Sequence, residues 1–252
     1  MRRFRRLHHG ERAELVEHLG ELRRRILVAA LALVAGSAVA FTFRAHLFEL
    51  LNRPLPGDRE PVTLGVTEPF MNSLKVSVYA GFCLALPVVS WQIWAFLAPA
   101  VEQGARRAVA TLVTAATGLF AVGLAFSYAI VLPAAIRFLI TFDANLYDIQ
   151  IRASEYYSFV ALALVSVALV FELPVVLLGL VRFKLLTAAR LRRNRRIGYA
   201  AMATLAVLLP GVDPISTSIM MLPLFALFES SVWLAHVYER RWQPVPPLAL
   251  DS

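Results

Sequence analysis

The sequence predicts an all-α, polytopic integral membrane protein with six transmembrane helices, and three observations predict it. Hydrophobic residues make up 59% of the 252 and charged residues only 17%, with a mean hydropathy of +0.66, outside the composition of ordinary soluble domains. Six intervals without Asp, Glu, Lys or Arg, or with a single one, recur at 26–43, 76–101, 108–136, 156–181, 197–210 and 215–235. Most approach or exceed the roughly 20 apolar residues that cross a bilayer as a helix. The basic residues also segregate. With six crossings, one side holds eight Lys and Arg in residues 1–25, two in 102–107, seven in 182–196 and two in the C-terminal tail. The other side holds only Arg44, Arg53, Arg59, Lys75, Arg137 and Arg152. Basic loops mark the cytoplasm, so both termini are expected there, in a multi-pass protein of the cell membrane. The arginines abut spans, so the net charge of +8 follows from topology and does not imply nucleic-acid binding.

The elements follow in order. In ERAELVEHLGELRRR (11–25), Leu15, Leu19 and Leu22 precede Ile26 at spacings of four, three and four, the stripe of an amphipathic helix that leads into the first span. This long charged lead, and a following apolar run long enough to span, argue against a cleaved signal peptide. The loop 44–75 contains Pro54, Pro56, Gly57, Pro61 and Pro69 and is expected to be irregular or broken by short helices, capping the outer face. The second span holds Pro87 and the lone cysteine, Cys83, which has no partner for an intramolecular disulfide. A second external loop, 137–155, carries Asp143, Asp148 and Glu155. The fifth span rises only about 20 Å against a hydrocarbon core of ~30 Å, so it thins the bilayer or leans on neighbours; without it the chain ends would lie on opposite sides. PGVDP (210–214) is a tight turn into the sixth span. Interior prolines predict kinks in spans two, four and six. Residues 1–242 form one membrane domain, and the proline-rich 243–252 is a disordered cytoplasmic tail. No internal repeat of the kind that builds many transporters is evident.

One carboxylate stands out. Glu172 in SVALVFELPVVLLGL (166–180) lies two positions before Pro174, about 14 Å from the cytoplasmic end of its span. An ionisable group at that depth costs at least ~2.5 kcal/mol on insertion scales and is by default a functional hypothesis. The structural alternative is a protonated side chain donating to the Val170 carbonyl that Pro174 leaves without a donor. Glu229 in LFALFESSVW lies near the cytoplasmic interface, where water relieves it. His18 sits beside Glu14, Glu17 and Glu21, but no second His or Cys stands at ligand spacing, so no metal and no cofactor are expected. Phosphate-loop, zinc-protease and serine-hydrolase motifs are missing, which argues against an enzyme.

Several stretches together resemble the TatC family, the polytopic core subunit of the twin-arginine protein translocase. They are HLGELRRRI (18–26), PVVSWQIWAFLAPAV (87–101), FELPV (171–175) and Asp213 followed by Ser216, in an order that covers about residues 11–242. The resemblance implies a concave, glove-like bundle with an external cap, whose last two spans are short. It implies a receptor that binds twin-arginine signal peptides of folded cargo, recruits single-span TatA-like and TatB-like subunits, self-associates in a larger complex in the lipid membrane, and uses the proton-motive force. By position, Glu21 matches the carboxylate that receives the signal's arginine pair, as suits an anionic side chain facing guanidinium groups. His18, Leu22, Phe96 and Pro99 complete that surface, and Arg23 matches an arginine that would orient it. The family's second glutamate corresponds to Ala105 here, and Glu102 is its candidate replacement. Glu172 matches a carboxylate in a membrane-open groove that meets partner helices, with Thr217, Asp213 and Glu229 as further groove residues. Pro54, Phe70, Pro87 and Pro174 match structural positions. The alternative from another class is a proton-coupled small-solute transporter with Glu172 as the carrier.

Overall fold

The computed structural model describes residues 9–57, 60–97, 105–146, 149–183, 185–209 and 214–242. Regular structure among them is helical, apart from one isolated bridge between Val62 and Arg152, in keeping with a chain that must satisfy its own backbone groups in lipid. Helix α1 (His9–Thr42) carries the amphipathic lead and the first span as one 34-residue rod. The short α2 (Arg44–Asn52) follows, then α3 (Glu68–Leu97). The third span comprises α4 (Ala105–Phe126), a π-helical segment (Ser127–Val131) and α5 (Leu132–Thr141). The fourth comprises α6 (Ala153–Phe171) and α7 (Leu173–Arg182); α8 (Ala188–Arg193), α9 (Arg195–Leu208) and α10 (Pro214–Trp242) complete the bundle.

Five stretches are long and apolar enough to cross a membrane, at His18–Thr42, Glu68–Leu97, Arg106–Thr141, Ala153–Arg182 and Thr217–Val237. They coincide with the first four expected spans and the sixth. The interval expected as the fifth folds as α9, whose 14 residues rise only ~21 Å and fall below that length. The last membrane-crossing stretch, 21 residues, is the shortest of the five, although α10 itself continues for 29 residues, through the charged sequence YERRW. Likewise α3 begins eight residues before the expected boundary at 76: Glu68, Asn72 and Lys75 end the apolar interval without ending the helix, and Glu68 and Lys75 find partners in Arg152 and Ser158.

The fourth span is the centre of the bundle. Over its most apolar window 61% of residues are buried, against 6% for the first span, so α6 and α7 meet protein where α1 mostly meets lipid. The two peripheral rods α1 and α3 nevertheless cross in backbone contact. A Cβ on Gly36 would lie 2.6 Å from Gly81 O, and one on Gly81 would lie 2.4 Å from Ser37 N. Small residues allow such approach where lipid supplies no hydrophobic drive to associate.

Prolines act unevenly. Pro87 and Pro223 lie inside α3 and α10, each of which remains a single helix. The fourth span does break, at Glu172 between α6 and α7, where Pro174 at the start of α7 cannot donate to Val170 O. Glu172 N–H donates instead to Leu169 O at 3.1 Å, a tightened last turn. In the third span the π segment precedes Pro133, a slip of the backbone ladder that accommodates the missing donor.

The loop 44–75 is broken by a short helix as expected, α2, and packs over one end of the bundle as a cap. Tyr128, Tyr156 and Tyr157 donate to Leu50 O at 2.9 Å, Leu51 O at 2.6 Å and Asn52 Oδ1 at 3.0 Å. Two of these bonds satisfy carbonyls that the end of a helix leaves without partners. Val62 N–H donates to Ile151 O and Ala153 N–H to Val62 O, both at 2.8 Å. Beside this bridge Glu68 Oε1 accepts from Arg152 Nε at 2.8 Å and also from its Nη2, while Glu68 Oε2 accepts from Leu64 N at 3.0 Å. The pairing raises the pKa of the Arg152 guanidinium above its ordinary value. Pro54 is half-buried in the turn after α2, and Phe70 is exposed.

Candidate functional site

At the arginine-rich end of the bundle, α1 presents residues 18, 21, 22 and 25 on one face, the spacing of a helical stripe. That face meets the last turns of α3. The His18 ring stacks on Phe96 with centroids 4.4 Å apart and planes at 21°. Glu21 Oε1 accepts two bonds from Arg25, from Nε at 2.9 Å and Nη2 at 2.5 Å. Arg25 in turn reaches across to α3, donating to Ala95 O at 3.2 Å and Gln92 Oε1 at 3.4 Å. The result is a half-exposed carboxylate held against the α1–α3 seam by a guanidinium, with an imidazole–phenyl stack one turn away. Both Arg25 bonds use Oε1, and Oε2 makes no hydrogen bond among the described residues. It retains lone pairs for a further cation.

Leu22 is half-buried here, while Arg23 is exposed and makes no hydrogen bond or ion pair among the described residues. The residue that orients Glu21 is therefore Arg25, which the motif comparison did not single out. Helical periodicity carries the signal: a glutamate pairs with the cation four positions on, and position 23 points away. Pro99 and Glu102 lie outside the described residues, as do Asp213, the turn at 210–212 and the tail 243–252.

Glu172 sits at the junction of α6 and α7 with its backbone in use at both ends, since its carbonyl also accepts from Val176 N at 3.0 Å. Its side chain is different. Oε1 is buried without a hydrogen-bond partner, as is Asn72 Oδ1 in the first turns of α3. The bond to Val170 O suggested by the local-cap alternative is not made by that oxygen. A buried orphan acceptor calls for a physical explanation, such as an absent partner or water.

Glu229 is tied differently. It accepts from the Tyr199 hydroxyl through Oε1, and its Oε2 lies 3.4 Å from Arg195 Nη2. Tyr199 also packs edge-on against Phe225 and Phe228. This clasp joins the start of α9 to the middle of α10, with Gly198 lying so close under Phe228 that a Cβ would meet its ring at 2.1 Å. Thr217 is half-buried in the first turns of α10; neither it nor Glu229 bonds to Glu172. Neither Tyr199 nor Arg195 was evident as a partner of Glu229 in the sequence, because the pairing crosses a hairpin of 30 residues. Among the described residues no group of three His, Cys, Asp or Glu side chains could hold a metal ion.

Comparison with known proteins places this architecture among close relatives. The family model described as Sec-independent protein translocase protein (TatC) matches residues 17–223. A protein of that name from Carboxydothermus hydrogenoformans is 34% identical over 223 residues, 88% of this chain and 92% of the relative. Its namesake from Aquifex aeolicus is 35% identical over 234 residues, 90% and 96% of the two chains. Among solved structures, the crystal structure of the twin-arginine translocase receptor TatC matches with a TM-score of 0.74 and 32% identity, covering 87% of this chain and 98% of that one. A second crystal structure of that receptor matches with a TM-score of 0.76.

Proposed function

The chain belongs to the TatC family of Sec-independent protein translocase proteins, and from that premise we propose that it is the receptor and core scaffold of a twin-arginine translocase. It is a multi-pass membrane protein and a transport component, not an enzyme. In this reading the seam formed by His18, Glu21, Leu22, Arg25 and Phe96 faces the cytoplasm and binds the signal peptide's arginine pair, with Pro99 and Glu102 as further contacts implied by the family motif. The observation that carries the proposal is the Glu21 carboxylate itself. Arg25 occupies one oxygen and braces it against α3, which leaves the second to accept an incoming guanidinium in a charge-assisted bond. The stacked His18 and Phe96 rings supply an adjacent flat apolar surface for the residues that follow the arginines. Glu172, Thr217 and Asp213 then serve single-span TatA-like and TatB-like partners. A polar side chain from a partner's membrane helix would satisfy Glu172 Oε1. Cargo moves folded, driven by the proton-motive force.

Photo-crosslinking of a twin-arginine signal peptide from positions 21 and 96 tests this. Efficient crosslinking is expected in the wild type. Glu21→Ala should reduce it at position 96 by at least about ten-fold, because a hydrogen bond to a charged group contributes ~1.5–3 kcal/mol. Glu21→Lys should abolish it, while both variants still insert. Undiminished crosslinking in these variants would overturn the assignment.

A further inference from the structure

The arginine-rich stretch 182–196 marks orientation by its charge alone, yet α8 arranges that charge in a specific way. Leu186 and Leu191 pack inward against Val181 and Ala235, which seats α8 at the end of the bundle. On its other side Ala189, Arg190, Arg193 and Asn194 line an open hollow of about 500 Å³. The nearby Arg195 is engaged by Glu229, but Arg190 and Arg193 have no carboxylate partner among the described residues. Flanking the helix, Leu185 and Ile197 are 58% and 68% exposed. Guanidinium groups without counter-charges that share one hollow, on a helix flanked in sequence by exposed aliphatic side chains, match an amphiphile with an anionic head.

We propose that the α8 hollow binds the phosphate of an anionic phospholipid from the leaflet on that side of the membrane. Arg190 and Arg193 grip the phosphate oxygens, the Asn194 amide donates beside them, and Leu185 and Ile197 lie against the acyl chains. Guanidinium groups recognise phosphate bidentately, and basic pockets beside membrane helices hold anionic lipid heads. Orientation by positive charge requires neither a shared hollow nor exposed leucine and isoleucine on either side of the helix in sequence. The proposal is independent of signal-peptide recognition, since it concerns the chain alone with lipid.

Native mass spectrometry of the purified full chain in detergent, offered equal amounts of phosphatidylglycerol and phosphatidylethanolamine, tests it. The wild type should retain phosphatidylglycerol preferentially. Arg190→Gln with Arg193→Gln should lower that retention by roughly ten-fold, as expected when two solvent-exposed, salt-screened charge contacts are lost. Arg44→Gln with Arg137→Gln, at the opposite end of the bundle, should leave it unchanged. Added salt should displace phosphatidylglycerol from the wild type but not phosphatidylethanolamine, a readout that does not depend on any variant folding. Equal retention by the α8 variant, or insensitivity of the wild type to salt, would overturn the proposal. Displacement by an equal concentration of inorganic phosphate would also overturn it, by reducing the hollow to a simple phosphate site.

Discussion

Glu21 and Arg25 stand four positions apart on α1, so the same helical turn that brings them together also aims Arg25 at α3. Arg25→Ala removes both the brace on Glu21 and the tether between helices. Signal-peptide crosslinking at Phe96 is expected to fall about five-fold, the equivalent of ~1 kcal/mol for a half-exposed charged pair. Arg23→Ala should leave it largely unchanged, and equal effects of the two would remove the distinction. HLGELRRRI made the acidic residue conspicuous in the sequence but offered three consecutive arginines as its partner, and only the helix geometry selects one. Glu172 was equally conspicuous, as a lone charge in an apolar run. Its unpartnered Oε1 adds what the sequence could not: the side chain is not consumed by the helix break it sits on. Glu172→Gln, nearly isosteric, should therefore leave thermal unfolding of the purified chain within ~1 kcal/mol of the wild type while reducing co-purification of a single-span partner. A large loss of stability with unchanged partner recovery would mean the carboxylate serves the fold alone.

Among the elements, α9 depends most on its neighbours. Fourteen residues are marginal as an isolated helix and short for a bilayer, so its position rests on α10. Gly198 lets the Phe228 ring lie directly on the α9 backbone, and Phe228 is itself 5% exposed within the main apolar cluster, with little room to retreat. Gly198→Val is expected to destabilise the chain by about 1–3 kcal/mol through overpacking, read as a lower unfolding temperature in detergent. Tyr199→Phe should act in the same direction by leaving the half-buried end of the clasp unmade, and Glu229→Gln less so, because an amide oxygen still accepts the tyrosine hydroxyl. The existence of these helices was legible from runs of uncharged residues, since hydrocarbon tolerates little else. Their ends were not, because α3, α5 and α10 continue past the first charged residue into surroundings where charge is satisfied. The π segment before Pro133 was hidden too: proline announces a missing donor, but which turn slips to compensate depends on packing against α6, where Ser127 Oγ donates to Ala163 O.

Over the whole molecule, contacts distant in sequence close the structure at its two ends. Glu68 and Arg152 are 84 residues apart and leave no periodic mark in the sequence, yet they lock the loop before α3 to the start of α6. Arg152→Ala should speed amide exchange in residues 60–67 by roughly ten-fold or more as the cap opens locally, with α9 and α10 unaffected. Exchanging the charges, Glu68→Arg with Arg152→Glu, should recover part of the protection.

At the opposite end, the pairing of Arg195 and Tyr199 with Glu229 and Phe225 makes α9 and α10 an antiparallel hairpin, in which the start of α9 meets the middle of α10 rather than its end. The 13 residues of α10 beyond Glu229 extend ~20 Å past the level of Arg195, so the basic segment 190–196 is drawn toward the membrane midplane relative to the neighbouring helix. A bilayer can meet such a mismatch by thinning locally, and in that way a helix as short as α9 is expected to cross. Six crossings would place positions 57, 143 and 211 on one side and 192 and 252 on the other. In a chain whose only native thiol is replaced (Cys83→Ala), single cysteines at Gly57, Asp143 and Gly211 should react with a membrane-impermeant maleimide in intact cells. Cysteines at Arg192 and Ser252 should react only after permeabilisation. Labelling of position 252 from outside, with position 192 protected, would mean that α9 dips into the membrane and returns, leaving five crossings and the chain ends on opposite sides.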